Sequence, residues 1–155
     1  MPQHRRYLPG FNINQPFILK IIKKGALELR KETRKYICAE LLNYQRSKNE
    51  LNRLKDKLAE IKLFPMYGKD YYTAEKFMYM QDRVQFLQKI TEAIAATEQE
   101  ATEEERQLLY LKFWHARPRP TDDVIAAQLN ISRTTMYRIV NGICRKIGMR
   151  IGTDL

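Results

Sequence analysis

Residues 121–140, which read TDDVIAAQLNISRTTMYRIV, predict a short helix, a tight turn and a second helix. Thr121 is a favoured N-cap residue, and the two aspartates after it suit the positive end of a helix dipole. Asn130 tolerates the left-handed backbone conformation that a tight turn needs. Ser132 is then placed to cap the second helix. The segment therefore has the pattern of a helix-turn-helix.

Apolar residues in and after this stretch fall on one side of the two predicted helices. The small residue Ala126 allows the helices to approach each other closely, and Ile131 fills the inside of the turn. We expect the following residues to face the core: Ile125, Leu129, Ile131, Met136, Ile139, Val140 and Ile143.

The opposite face of the second helix carries groups that bind nucleic acid. In a helix-turn-helix, the N-terminal part of the second helix enters the DNA major groove, where Arg pairs with guanine and Thr contacts a thymine methyl group. No acidic residue occurs in positions 132–150 of the sequence. The predicted DNA-binding residues are Ser132, Arg133, Thr134, Thr135, Tyr137, Arg138, Arg145 and Lys146. A helical bundle that binds protein is the alternative.

Residues 102–120 predict a further helix that ends at a rigid segment. Thr102 and Glu105 have the spacing of a capping box, and the acidic residues 103–105 suit a helix start. The prolines in Arg-Pro-Arg-Pro at 117–120 cannot continue a helix, so we expect an extended turn there. Residues 102–155 are therefore predicted to form the DNA-binding unit.

Two long amphipathic helices are predicted before this unit. Pro65 and Gly68 interrupt the helical pattern, and Thr73 is placed to cap the second helix. Two such helices joined by a short connection favour an antiparallel hairpin over residues 32–101, which would serve as scaffold, dimerisation surface or polymerase contact. No strand pattern occurs, so we expect an all-α fold. The first helix has apolar residues at seven-residue spacing: Ile37, Tyr44, Leu51 and Leu58.

The charge distribution suggests a polyanionic partner. The 155 residues carry a formal net charge of +10, and residues 1–63 alone hold 15 basic and 6 acidic side chains. We expect residues 1–31 to form a basic arm with a short helix, which either follows a DNA groove or remains a solvated tail. Double-stranded DNA is the expected polyanion.

Other classes of protein find little support in the sequence. His4 and His115 have no second ligand at metal spacing, and no catalytic triad or phosphate-binding loop is present. Cys38 and Cys144 lie in apolar, helix-periodic stretches, which is typical of reduced, buried thiols in a cytosolic protein. Prolines and a glycine interrupt the first 16 residues, so no signal sequence is expected. We therefore expect no enzyme activity, no metal, no cofactor and no membrane association.

Residues 105–138 resemble region 4 of bacterial sigma-70-type factors, which reads the −35 promoter element. The resemblance rests on the acidic-Arg helix that starts at Glu105 and on the segment from Ile131 to Arg138. The whole layout is similar to the phage ArpU/RinA-like transcriptional regulators. This resemblance implies a cytoplasmic activator of phage or prophage late or packaging genes, with host RNA polymerase as a partner. A DNA-packaging adaptor of the small-terminase type is the alternative.

Overall fold

The structure, a computed structural model, describes residues 29–63 and 74–152. Within these ranges the chain forms helices and no strand, which confirms the all-α fold. The basic arm before residue 29, the predicted connection at 64–72 and the Thr73 cap lie outside the described residues. The helices are α1 (Lys31–Leu63), α2 (Ala74–Glu100), α3 (Glu103–Leu109), α4 (Asp122–Gln128) and α5 (Arg133–Ile151).

Helices α1 and α2 pack against each other through part of the predicted apolar stripe. Ile37, Tyr44 and Leu51 of α1 are buried, whereas Leu54 and Leu58 further along the helix are only half-buried. The Glu50 carboxylate of α1 accepts two hydrogen bonds, of 2.9 and 3.3 Å, from the Arg83 guanidinium of α2. The antiparallel hairpin stays a prediction, since its connection lies outside the described residues.

Helix α5 packs against all four of the other helices. Its buried side enters a core that also contains residues of α1 and α2, so hydrophobic packing continues across the predicted boundary at residue 102. Met136, Ile143 and Ile147 of α5 are fully buried in this core. The division into a hairpin and a separate DNA-binding unit stays a prediction.

The junction between α2 and α3 is short and held by specific contacts. Thr102 accepts a hydrogen bond of 3.2 Å from the Glu105 backbone N–H, and its own N–H donates to the Glu105 carboxylate at 3.0 Å. The predicted capping box is thus present. Arg106 donates to the backbone carbonyls of Glu98 and Gln99, which satisfies acceptors at the end of α2. These contacts connect the end of α2 to the start of α3.

A π-helical segment, Tyr110–Trp114, extends α3 and anchors it to α1. The Trp114 indole N–H donates a hydrogen bond of 3.0 Å to the Leu41 carbonyl of α1, and the Trp114 ring lies 5.5 Å from the Tyr44 ring. The helix ends there, before the arginine–proline segment, as predicted. Lys112 and Asp122 on either side of that segment are joined by an ion pair.

Candidate nucleic-acid interface

The predicted caps and turn between α4 and α5 are present. The Thr121 hydroxyl accepts a hydrogen bond from the Val124 N–H, and the Ser132 hydroxyl accepts one of 3.0 Å from the Thr135 N–H. Asn130 has a φ of 55°, the left-handed conformation expected at this turn. The turn thereby fixes the direction in which α5 starts.

Burial on one side of α5 determines which residues remain exposed on the other. Ile125 and Ala126 of α4 and Met136 of α5 are buried beneath the turn. Thr135 is half-buried, and its hydroxyl accepts a hydrogen bond of 2.9 Å from the Ser132 hydroxyl. The exposed residues of the first two turns define what we term the N-terminal face of α5: Arg133, Thr134, Tyr137 and Arg138.

Tyr137 is the best-anchored residue of this face. Its hydroxyl donates a hydrogen bond of 2.8 Å to the Asp122 carboxylate, whose other oxygen accepts one of 2.5 Å from the Lys112 ammonium. The Lys112 ammonium and the Arg133 guanidinium each lie 5.9 Å from the centre of the Tyr137 ring. Two cations and one carboxylate thus hold the ring in a defined orientation.

Arg133 contacts two neighbours, Tyr137 through a hydrogen bond and Asp123 through an ion pair. It donates a hydrogen bond of 3.2 Å to the Tyr137 hydroxyl, and its Nε lies 3.4 Å from an Asp123 carboxylate oxygen. The Arg133 and Asp123 side chains are 56% and 74% exposed, so this ion pair is weak and easily exchanged for another anion. A phosphate or a base acceptor can therefore take the place of Asp123.

The contacts of the network favour the ionised forms of Asp122 and Arg133. Burial raises the pKa of Asp122, but the hydrogen bonds from Lys112 and Tyr137 outweigh it, so the pKa lies below its usual range. The hydrogen bond with Tyr137 and the charge of Asp123 raise the pKa of Arg133. Asp122 and Arg133 are therefore both ionised at neutral pH.

Arg138 and Thr134 lie on the same face of α5 but outside this network. Both side chains are exposed, and among residues 29–63 and 74–152 no acidic side chain forms an ion pair with Arg138. Arg117 and Arg119, just before α4, are exposed as well. The sequence predicts these two arginines only as part of a turn, but their charge and their position just before Thr121 also mark them as candidates for the site.

Two predicted DNA-binding residues lie away from the N-terminal face of α5. Lys146 follows Arg133 by 13 positions, which places it about 20 Å along the helix and about 140° around it. Its ammonium donates to the Glu105 carboxylate at 2.9 Å, so an ion pair connects α5 to α3. Arg145 lies about two turns beyond Arg138 and is half-buried.

The structure adds Lys112, Asp122 and Asp123 to this site, where the sequence does not predict them. From the sequence, the two aspartates are expected only to favour a helix start, a role they also have in the structure. Their second role depends on how α4 packs against α5, which no local pattern reveals.

Comparison of the chain with protein-family models, with curated proteins and with solved structures finds no match in any of the three. Within the described ranges, no group of three or more His, Cys, Asp or Glu residues is arranged to hold a metal ion. None of the helices described combines the length and apolarity needed to cross a membrane.

Proposed function

We propose that this protein is a sequence-specific, double-stranded DNA-binding transcriptional regulator that reads DNA with the start of α5. The observation that carries the proposal is the exposed N-terminal face of α5. The capped turn between α4 and α5 sets the direction of this face, and the opposite side of the helix is buried in the core. A face of this kind fits the major groove, where it would present Arg and Thr to base edges. No acidic side chain occurs along α5.

In the proposal, three residues of this face contact DNA, and Tyr137 orients one of them. Arg138 and Thr134 face solvent and are available for base edges without rearrangement. Arg133 exchanges its exposed partner Asp123 for DNA, while the contact with Tyr137 keeps it directed outward. Ser132 and Arg133 contribute backbone N–H groups at a helix start, which suits a phosphate.

The resemblance of residues 105–138 to sigma region 4 extends the proposal to activation of phage late or packaging genes. In that extension the α1 and α2 region contacts host RNA polymerase or a second copy of the chain. The exposed Arg117 and Arg119 would bind backbone phosphates beside the groove, where arginine contributes affinity rather than sequence discrimination.

The proposal is tested by capturing genomic fragments on the full chain and sequencing those retained at physiological salt. We expect one recurring sequence motif, bound at least about 10³-fold more tightly than a scrambled duplex. Retention without a common motif, or no retention, would contradict sequence-specific regulation. Light scattering on the same sample distinguishes the alternative, because a monomer or dimer fits the regulator and a large ring fits the packaging adaptor.

A further inference from the structure

Cys38 of α1 and Cys144 of α5 lie next to each other, with their Sγ atoms 3.7 Å apart. They are 106 positions apart in the chain, and they are its only two cysteines. Both are free thiols. The packing of α5 on α1 therefore brings together two residues whose proximity no sequence spacing suggests.

The two sulfur atoms are close enough for one to react with the other. A disulfide requires an S–S distance of about 2.05 Å, so the sulfurs must approach by about 1.7 Å. About one turn before each cysteine, the Arg34 guanidinium of α1 donates a hydrogen bond of 3.1 Å to the Asn141 side chain of α5. Cys144 belongs to the hydrophobic core and Cys38 packs against that core, so the pair lies within the α1–α5 contact.

The two thiols differ in exposure and in acidity. Cys38 is half-buried, whereas Cys144 is fully buried. The hydrogen bond with Cys144, together with the positive charges of Arg34 and Lys112, outweighs burial and lowers the pKa of Cys38 to about 7. The hydrogen bond with Cys38 and burial raise the pKa of Cys144. Cys38 thus has the properties of a reactive thiolate, and Cys144 has those of a buried, neutral thiol.

We propose that Cys38 and Cys144 form a redox modification site that closes to an intramolecular disulfide when the protein meets hydrogen peroxide. The Cys38 thiolate attacks the peroxide, the O–O bond breaks, and Cys38 becomes a sulfenic acid while hydroxide leaves with the electron pair. Cys144 then attacks the Cys38 sulfur, the S–O bond breaks, and the Cys144 proton leaves with the hydroxyl group as water. The two thiols lose two electrons in total, and the peroxide accepts them.

This inference does not depend on the proposed DNA-binding function. It concerns the contact between α1 and α5, and Cys144 lies eleven positions, or about 16 Å along the helix, from Arg133. The disulfide would nevertheless tie the helix that carries the proposed DNA-binding face covalently to α1.

The test treats the reduced full chain with a small excess of hydrogen peroxide and follows the product by mass spectrometry and non-reducing peptide mapping. We expect a monomer that has lost two hydrogens, a Cys38–Cys144 cross-linked peptide, and full reversal by dithiothreitol. Free alkylatable thiols after treatment, or a disulfide only between two chains, would overturn the proposal.

Single variants separate the roles of the two cysteines. In Cys144→Ser, Cys38 should accumulate a sulfenic acid that dimedone traps. In Cys38→Ser, Cys144 should react with peroxide at least about tenfold more slowly than Cys38 does in the parent chain. Equal reactivity of the two cysteines would contradict their assigned roles. If Cys144→Ser does not fold, the Cys38–Cys144 cross-link in the parent chain remains decisive.

Discussion

The Tyr137 hydroxyl donates a hydrogen bond to Asp122, 15 positions earlier in the chain, and accepts one from Arg133. Tyr137 therefore connects the start of α4 to the start of α5. Through this hydroxyl, Asp122 of α4 influences the direction of Arg133 on the N-terminal face of α5.

Tyr137→Phe removes this hydroxyl and keeps the ring. We expect the free energy of unfolding to fall by about 0.5–1.5 kcal/mol for each of the two hydrogen bonds that the hydroxyl makes, with Asp122 and with Arg133. Binding to the captured motif should weaken while binding to a scrambled duplex stays the same, because Arg133 loses its support and not its charge. Tyr79→Phe, at an exposed tyrosine of α2, is the matched control. Equal binding by Tyr137→Phe and the parent chain would show that the hydroxyl has no positioning role.

Asp123→Asn frees Arg133 from its exposed ion pair. We expect tighter binding to every duplex, because Arg133 no longer has to leave an ion pair before it contacts DNA. Asp82→Asn on α2 makes the same charge change at an exposed site remote in the chain. If both variants gain affinity equally, net charge and not the Arg133 pair explains the effect.

Glu105 predicts how stability responds to acid. Burial raises its pKa, but the hydrogen bonds from Lys146 and from the Thr102 N–H outweigh burial, so the pKa in the folded state lies below its unfolded value. The unfolded chain then binds more protons, so this contribution is present above about pH 4.3 and is lost as the pH falls through the folded pKa. The pKa of Asp122 is also lowered in the folded state, so its contribution to stability is likewise lost on acidification.

Urea unfolding of the parent chain and of Glu105→Gln between pH 3 and pH 7 checks this expectation. The parent should lose more stability on acidification than the variant, whereas Glu92→Gln on α2 should behave like the parent. Parallel curves for the parent and Glu105→Gln would mean that the Lys146 contact contributes nothing in solution.

The shared core predicts that α1 and α5 unfold together. Leu41 of α1 is fully buried in the cluster that contains Met136 and Ile147, so Leu41→Ala should cost about 2–5 kcal/mol. The fluorescence of Trp114, the only tryptophan, and the far-ultraviolet circular dichroism should show one coincident transition. The exposed neighbour Leu42 is the control, and Leu42→Ala should change stability by less than about 0.5 kcal/mol. Two separate transitions would instead support a hairpin and a DNA-binding unit that fold independently.

Features that depend on neighbouring residues could be predicted from the sequence. The capping box at Thr102, the caps at Thr121 and Ser132, and the left-handed Asn130 each involve contacts within about four positions, where residue type limits the backbone. The end of a helix just before the arginine–proline segment could be predicted in the same way, since proline cannot continue a helix.

Features that depend on packing between helices could not be predicted. The Lys146 ammonium contacts the Glu105 carboxylate, 41 positions earlier, and no sequence spacing indicates this pair. The pairing of Cys38 with Cys144 and the bridge from Tyr137 to Asp122 have the same origin. A single sequence shows which faces are apolar, but it does not show which faces meet.

The central claim is that the N-terminal face of α5 distinguishes one DNA sequence from another, and Arg138→Ala tests it most directly. Affinity for the captured motif and for a scrambled duplex is measured at several salt concentrations for this variant, for Arg133→Ala and for Arg53→Ala, which removes an exposed charge from α1. We expect each α5 variant to lose about 1–3 kcal/mol of discrimination between the two duplexes, while Arg53→Ala discriminates like the parent chain. Unchanged discrimination in both α5 variants would contradict the account.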